Sequence, residues 1–189
     1  MSAQDSKLFV ISGPSGAGKG TLVTRVRERR SNLGLTVSAT TRAPRKGEVD
    51  GVNYFFLTRE EFDRRVANGE FVEWAEVHGN CYGTLVSEVQ SKLASGASLI
   101  LEIDVQGALQ VKERFPEAVL IFIKPPSLEV LRERLVGRGT ETPETIELRM
   151  ANAADELALA ERYDDVVVND DLDRATDELV RVLDMHERI

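Results

Sequence analysis

Short apolar runs alternate with helix-compatible segments along most of the chain. The first run, residues 8–12, is followed by a helical segment from about residue 21 to residue 30. Further strand-like runs lie at 99–103, 118–123 and 166–168, with helical segments near 106–114 and 127–135. Because parallel strands need a crossover between them, this alternation predicts an α/β fold, in which a parallel sheet core is flanked by helices on both faces.

The middle of the chain interrupts this alternation. Residues 53–57 and 71–77 are strand-like and flank a helical segment that starts at Thr58, with Glu61 three positions later in the pattern of a capping box. We interpret about 36–88 as an inserted substrate lobe. The predicted core comprises about 1–35, 89–125 and 163–189.

A helical lid is predicted next, over about residues 126–162. Thr142 followed by Pro143 is typical of a cap and a first helical turn, and the helix is predicted to run to about Arg162. Residues 137–140 are then the hinge or the tip of this lid.

A final helix is predicted from Asp173, as its cap, through Ile189. His186 falls on a face of this helix, and we assign it no catalytic role. Cys81 is the only cysteine, and His78 is the only other histidine. These residues are too few for an internal disulfide or a metal cluster, so we expect neither.

Length and composition limit the class of protein. A chain of 189 residues with 42% hydrophobic and 30% charged positions is typical of one globular domain. No apolar run approaches the roughly 20 residues of a membrane span, and no signal-peptide pattern precedes the first strand. We expect a cytoplasmic protein with no membrane partner.

The net charge of -8 is unevenly distributed. Residues 155–189 hold 12 acidic and 4 basic side chains, whereas residues 7–46 hold nine basic side chains and one acidic side chain, Glu28. This pattern predicts a local positive field that attracts small anions. A pI near 5.0 disfavours nucleic acid, so a phosphorylated metabolite is the expected partner.

The sequence GPSGAGKGT follows the first strand and opens the first helix, which is the context of a phosphate-binding loop. Its glycines allow backbone N–H groups to converge on phosphate oxygens, and its lysine would neutralise the β- and γ-phosphates of ATP. The alternative is an ordinary glycine-rich turn at a helix start. The predicted ATP-binding residues of the loop are Gly13, Pro14, Ser15, Gly16, Ala17, Gly18, Lys19, Gly20 and Thr21.

One position departs from the strict loop pattern. Gly20 occupies the place of the Ser or Thr that usually follows the lysine, and Thr21 comes next. The hydroxyl that usually binds Mg²⁺ is therefore missing from its usual position, and we predict no protein ligand for the metal. Either Thr21 helps to bind Mg²⁺ in its place, or phosphates and waters hold the ion.

Arginines and tyrosines after the loop suggest a second phosphate site. Arg42 and Arg45 present planar forks suited to a monophosphate, and Ser38, Tyr54 and Tyr82 supply hydroxyls. The alternative is that both arginines are solvated surface charges.

Five segments together resemble the guanylate kinase family over nearly the whole chain. They are SATTRAPRKGEVDGVNYFF (38–56), GEFVEWAEVHGNCYGT (69–84), LEIDVQGALQVK (101–112), RLVGRGTETPETIELRM (134–150) and VVNDDLD (167–173). The resemblance implies a P-loop kinase with a GMP-binding lobe and a helical lid. The implied reaction is direct, Mg²⁺-assisted transfer of the γ-phosphoryl group of ATP to GMP, giving ADP and GDP in purine metabolism and GMP recycling.

The resemblance also assigns roles to single residues. Arg134, Arg138 and Arg149 match the family's lid and phosphate-bridging arginines, and with Lys19 and Arg42 they complete the predicted catalytic set. Asn169 joins the predicted ATP-binding residues. The predicted GMP-binding residues are Ser38, Arg42, Arg45, Tyr54, Glu73, Tyr82, Thr84 and Asp104.

Glu73 carries the predicted base specificity. A carboxylate among apolar neighbours needs a donor or solvent, and guanine offers N1–H and its amino group, whereas adenine offers an N1 acceptor. The alternative is that Glu73 lies on the exposed face of an edge strand. Glu102 and Asp104 end a strand where ligand sites of open α/β sheets lie, and one of the two is expected to be functional.

Two other functions are compatible with parts of the pattern. A kinase of the same fold with AMP or a sugar phosphate as acceptor would not need Glu73, Thr84 and Asp104. A silent guanylate-kinase-like module that binds phosphopeptides would not need Lys19 in an intact phosphate loop. Both are therefore disfavoured.

Overall fold

The structure is a computed structural model that describes residues 6–77, 79–137 and 142–188. Its strands, numbered in chain order, are β1 (Leu8–Ser12), β2 (Gly34–Leu35), β3 (Ala39–Thr40), β4 (Phe55–Phe56), β5 (Phe71–Val77), β6 (Asn80–Leu85), β7 (Leu99–Glu102), β8 (Val119–Lys124) and β9 (Asp165–Val168). Its helices are α1 (Lys19–Arg29), α2 (Arg59–Ala67), α3 (Val86–Ala94), α4 (Val105–Arg114), α5 (Leu128–Gly137), α6 (Pro143–Ala158) and α7 (Leu172–Glu187).

Strand β1 lies at the centre of a five-stranded sheet in the order β2-β7-β1-β8-β9, and all its pairings are parallel. Every residue of β1 is buried, because α1 and α7 cover one face of the sheet while α3 and α4 cover the other. The predicted parallel sheet with flanking helices is confirmed. Strand β2 has two residues, which is too short for a periodic pattern to indicate.

The strands between residues 39 and 85 form a second sheet in the order β4-β3-β6-β5. Phe62 of α2 stacks on Phe71 of β5, with 4.3 Å between ring centroids, inside a small apolar cluster that also contains Cys81. Strand β5 contacts α4, which begins just after β7. This contact brings the second sheet to the carboxyl end of the first.

Two predicted helix caps are present. Thr58 Oγ1 accepts a hydrogen bond from the Glu61 N–H at 3.1 Å, and Thr142 Oγ1 accepts one from the Thr145 N–H at 3.3 Å. The Glu61 carboxylate accepts a hydrogen bond from Arg65 at 2.7 Å, an (i, i+4) pair along α2.

The predicted cap of the last helix was wrong by two residues. Asp171, not Asp173, precedes the helix in an extended conformation and accepts a hydrogen bond from the Arg174 N–H at 2.9 Å. Asp173 lies in the first turn and pairs with Arg25 of α1. Two nearby aspartates gave the sequence pattern no means to choose between them.

The long helix predicted to reach Arg162 ends earlier, at Ala158. A 3₁₀ turn over Ala160–Arg162 follows, and Tyr163 then packs edge-on against Phe122 of β8, with 5.0 Å between ring centroids. Burial of this tyrosine turns the chain toward β9. Helices α6 and α7 have 16 residues each, and no helix in the described part of the chain is long and apolar enough to cross a membrane.

The predicted positive field near the N-terminus is partly cancelled by α7. Arg29 pairs with Asp177, and Arg30 pairs with Asp184 at 2.5 Å, along the contact between α1 and α7. The acidic C-terminal segment therefore lies against the basic first helix.

Candidate active site

The glycine-rich loop connects β1 to α1 and has backbone angles that favour glycine. Gly13, Gly16 and Gly18 have φ values of 143°, 90° and 90°. A Cβ atom on Gly13 would lie 2.3 Å from the carbonyl oxygen of Ile123, and one on Gly18 would lie 2.4 Å from Nδ2 of Asn169. The loop is therefore fitted closely to β8 and to the end of β9, where a side chain would displace it.

Asn169 and Arg134 hold this loop from the other side. The buried Asn169 side chain donates a hydrogen bond to the Ala17 carbonyl at 2.8 Å, and Arg134 donates one to the Asn169 carbonyl at 2.8 Å. The structure thus brings a predicted ATP-binding residue and a predicted catalytic arginine to the loop. Their roles toward ATP remain predictions.

A cavity of about 500 Å³ opens beside the loop. It is lined by Gly16, Gly18, Thr21, Arg134, Gly137, Asn169, Asp170 and Leu172. Asp170 and Leu172 were not among the predicted site residues. The sequence could have indicated them, because Asp170 directly follows Asn169 and Leu172 comes two residues later in the segment VVNDDLD.

Lys19 is the first residue of α1, and its side chain reaches back to the start of the loop. Its ammonium group donates hydrogen bonds to the carbonyl of Gly13 at 2.6 Å and to that of Pro14 at 3.1 Å. Arg149, on α6, donates a hydrogen bond to the hydroxyl of Ser15 in the same loop. Two cations from different elements therefore meet the phosphate loop, while Arg138 lies outside the described residues.

Glu102 lies at the end of β7, near enough to Lys19 for the two charges to interact. A Cβ atom on Gly20 would be 3.5 Å from Oε1 of Glu102, so this carboxylate lies beside the position that lacks the usual hydroxyl. Partial desolvation raises the pKa of Glu102, and the positive charge of Lys19 acts in the opposite direction. Of the two acids that end this strand, Glu102 adjoins the loop.

The residues predicted to hold a second phosphate form an arginine–tyrosine clamp on the second sheet, made of Arg42, Arg45, Tyr54 and Tyr82. The guanidinium carbon of Arg42 lies 5.4 Å from the ring centroid of Tyr54, and the rings of Tyr54 and Tyr82 are 6.2 Å apart. The hydrogen bond from Arg42 to Glu48 raises the pKa of the guanidinium, and Tyr82 makes a smaller contribution in the same direction. Arg45 is exposed on the following turn.

Ser38 lies at the start of the same sheet, directly before β3. Its carbonyl accepts a hydrogen bond from the Phe55 N–H at 2.9 Å, which ties the first strand of this sheet to β4 beside Tyr54. The structure thus brings Ser38 near the clamp through the backbone.

Glu73 is buried, with 9% of its surface exposed, so the alternative of an exposed edge-strand position is wrong. Thr84 donates a hydrogen bond to its carboxylate at 2.8 Å. The register between β5 and β6 shifts between Phe71 and Glu73, and this irregularity turns Glu73 inward while Trp74 is 41% exposed. A strict alternation could not have predicted this orientation.

Asp104 completes the polar group around Glu73. It caps α4 by accepting a hydrogen bond from the Gly107 N–H at 2.7 Å. A Cβ atom on Gly107 would lie 3.4 Å from one oxygen of each of the Glu73 and Asp104 carboxylates, so the start of α4 packs against both acids. Glu73, Thr84 and Asp104, predicted together from separate segments, are adjacent in the structure.

Burial raises the pKa of Glu73 to about 7. The hydrogen bond from Thr84 acts against this shift, and the negative charge of Asp104 adds to it. None of the groups that shift the pKa of Glu73 is a cation. Its buried carboxylate is therefore a strong hydrogen-bond acceptor beside a second acid, Asp104. A ligand with two adjacent N–H donors would satisfy it.

A phosphate-binding loop on a parallel sheet, together with an arginine–tyrosine clamp and a buried carboxylate on a second sheet, defines a P-loop nucleotide kinase. The family model described as guanylate kinase matches residues 5–186. The chain belongs to the guanylate kinase family.

Individual relatives agree with the family match. The chain is 52% identical over 183 residues to the guanylate kinase of Halalkalibacterium halodurans, covering 97% of this chain and 90% of that protein. It is 56% identical over 178 residues to that of Gloeobacter violaceus, covering 94% and 87%. The crystal structure of guanylate kinase from Anaplasma phagocytophilum superimposes with a TM-score of 0.72 at 37% identity, covering 96% of this chain and 86% of that one. The predicted family and kinase activity are confirmed.

Proposed function

We propose that this enzyme transfers the γ-phosphoryl group of ATP directly to the phosphate of GMP, forming ADP and GDP. The observation that carries the acceptor assignment is the buried Glu73 carboxylate, which lies beside Thr84 and Asp104 on the sheet that also carries the arginine–tyrosine clamp. A base site with two acceptor positions next to an anion site complements guanosine monophosphate.

ATP binds at the glycine-rich loop in this proposal. The loop N–H groups and the N-terminus of α1 receive the phosphates, and Lys19 exchanges the carbonyls of Gly13 and Pro14 for phosphate oxygens. The cavity beside Asn169 takes the nucleoside end of ATP. Asp170 lies at its edge.

GMP binds at the second sheet. Arg42, Arg45, Tyr54 and Tyr82 receive the phosphate, with Ser38 beside them, because planar guanidinium forks and hydroxyl groups suit its oxygens. Glu73 accepts hydrogen bonds from guanine N1–H and the amino group, while Thr84 and Asp104 flank the base.

Catalysis in this proposal needs no nucleophilic side chain. The acceptor phosphate is already largely ionised at neutral pH, since its second pKa is near 6. The enzyme therefore acts by positioning both nucleotides and stabilising charge on the transferred group. The positive charge comes from Arg134, Arg138 and Arg149. Arg134 donates to the Ala17 carbonyl of the phosphate loop and Arg149 to the Ser15 hydroxyl of the same loop.

Magnesium is the proposed cofactor, and the chemistry of the nearby groups fits it. Mg²⁺ prefers hard oxygen ligands and retains several waters. Thr21 lines the cavity beside the loop, and Glu102 adjoins Gly20, so a hydroxyl and a carboxylate are available to hold the ion or its waters. When bound, the ion neutralises charge on the β- and γ-phosphates.

Removing an arginine of the clamp should weaken GMP and spare ATP. Arg45→Ala is expected to raise the Kd for GMP about 10- to 100-fold, because a charge-assisted contact is worth about 1.5 to 3 kcal/mol. Arg42→Ala should have the larger effect, since it also leaves Glu48 without its cation. Calorimetric titration of each nucleotide measures the asymmetry, and equal losses for ATP and GMP would place these arginines elsewhere.

Binding of GMP should release a proton near neutral pH. Glu73, with a pKa of about 7, is half protonated at pH 7 in the free enzyme, whereas pairing with guanine N–H donors requires the carboxylate. Its contribution to GMP affinity should therefore be complete above pH 8 and fall about tenfold per unit below pH 7.

Calorimetry of GMP binding at pH 7, in two buffers of different ionisation enthalpy, measures this release. About 0.6 of a proton is expected from wild type, of which about half comes from Glu73 and about 0.1 from the phosphate of GMP, and only the latter about 0.1 from Glu73→Gln. Equal release by both proteins would show that Glu73 does not change its protonation on binding.

A further inference from the structure

Glu48 ties together the two clamp arginines. Its carboxylate accepts hydrogen bonds from Nη2 of Arg42 on both oxygens, at 2.9 and 3.1 Å, and from the backbone N–H of Arg45 at 2.7 Å. The backbone N–H of Glu48 donates to the Arg45 carbonyl at 3.0 Å, which closes a turn with Gly47 at a φ of 91°. The Glu48 side chain thus contacts the guanidinium of Arg42 and the backbone of Arg45.

This contact is sheltered from solvent. The side chains of Arg42 and Glu48 are 15% and 19% exposed, far less than the clamp's position on a loop would suggest. Arg42 also donates to the Ala43 carbonyl at 2.8 Å and lies over the rings of Tyr54 and Phe56, 5.4 and 5.9 Å from their centroids. The orientation of its guanidinium is therefore fixed before any phosphate binds.

The charge of Glu48 allows two opposite effects on a phosphate ligand. An anion beside the clamp could repel GMP and compete for Arg42. Alternatively, the anion could orient Arg42 so that less side-chain freedom is lost when the phosphate binds. The carboxylate engages Nη2 of Arg42 while Nη1 donates to the Ala43 carbonyl, so the two contacts together fix the plane of the guanidinium, which favours orientation.

We propose that Glu48 is a positioning residue of the acceptor site, which holds the Arg42 guanidinium and the Arg45 backbone in the arrangement that receives the phosphate of GMP. This inference rests on the proposed function of the same site. Glu48 does not touch the nucleotide and acts through Arg42. The Arg42 and Arg45 hydrogen bonds keep the pKa of Glu48 low, so the residue is ionised throughout the neutral range.

A double-mutant cycle tests whether Glu48 acts through Arg42. The proteins are wild type, Glu48→Gln, Arg42→Ala and the double variant, with Kd for GMP and ATP measured by calorimetry and kcat and KM by ADP formation. Glu61→Gln is the matched control, because Glu61 also pairs with an arginine of the second-sheet region, Arg65 at 2.7 Å, away from the clamp.

Glu48→Gln is expected to weaken GMP about tenfold and to leave the Kd for ATP within twofold, while Glu61→Gln binds both nucleotides like wild type. The double variant should bind GMP no more weakly than Arg42→Ala alone. Glu48→Asp, which keeps the charge with a shorter reach, should lie between wild type and Glu48→Gln. Circular dichroism checks that each variant is folded.

Several results would overturn the inference. Tighter GMP binding by Glu48→Gln would make Glu48 a competitor of the phosphate. Additive losses in the double variant, or equal losses for ATP and GMP, would make its effect independent of Arg42 or general to the fold. Should wild type itself fail to bind GMP, the proposed function fails, whereas normal wild-type binding with an unaffected Glu48→Gln rejects the positioning role alone.

Discussion

Lys19→Ala is expected to lower kcat by about 10² to 10³ or more while the fold remains intact. The ammonium group is proposed to act on charge that develops during phosphoryl transfer, where a preorganised donor contributes about this much. The loop should keep its shape, because the angles of Gly13, Gly16 and Gly18 and the Asn169 hydrogen bond to Ala17 do not depend on the lysine. Steady-state rates and circular dichroism on one preparation measure both.

Lys92→Ala is the matched control for this substitution. Lys92 also donates to a backbone carbonyl, that of Leu35 at 2.5 Å, and pairs with Glu88 at 2.7 Å. Its loss removes a lysine of similar structural type from outside the site, so kcat should stay near the wild-type value. Near-normal turnover of Lys19→Ala would mean that ATP does not use this loop.

The second large effect is expected at Glu73. Wild type should prefer GMP over AMP in kcat/KM by roughly 10⁴, because a site built to pair with substrate donors leaves its buried groups unpaired when the wrong base binds. Glu73→Gln adds a donor and removes the charge, so it should reduce GMP activity steeply and narrow this ratio. An unchanged ratio would remove Glu73 from base recognition.

The stability of Glu73→Gln separates loss of recognition from loss of fold. Burial raises the pKa of Glu73 to about 7 from an ordinary value near 4.5, so the folded state favours the protonated form. The contribution of Glu73 to the stability of wild type should therefore fall as pH rises from about 4.5 to 7, by up to about 3 kcal/mol. The neutral glutamine avoids this cost, and Glu73→Gln should be the more stable protein in thermal unfolding at pH 8.

Features that depend on local chemistry could be predicted from sequence. The phosphate loop needs glycines at fixed offsets between a strand and a helix, and the structure has them with positive φ. The parallel sheet followed from the alternation of buried strands with helices. The grouping of Glu73, Thr84 and Asp104 came from family resemblance and not from their spacing, since they come from two separate segments and lie on β5, on β6 and after β7.

Features that depend on long-range packing could not be predicted. Glu48 looks like a solvated charge beside Lys46 and Gly47, and its hydrogen bonds exist only once the turn closes. The Glu102 carboxylate at the end of β7 lies beside Gly20 of α1, and neither segment alone indicates this proximity. In both cases the sequence supplied the chemistry, while the tertiary fold supplied the neighbours.

The transfer reaction itself provides the most direct test of the account. ATP and Mg²⁺ are incubated with the enzyme and, separately, with GMP, AMP, CMP or UMP, and all nucleotide products are quantified by chromatography. The account predicts ADP and GDP in equal amounts with GMP, and turnover lower by roughly 10⁴ with AMP. ADP formed without GDP, or AMP used as readily as GMP, would contradict it.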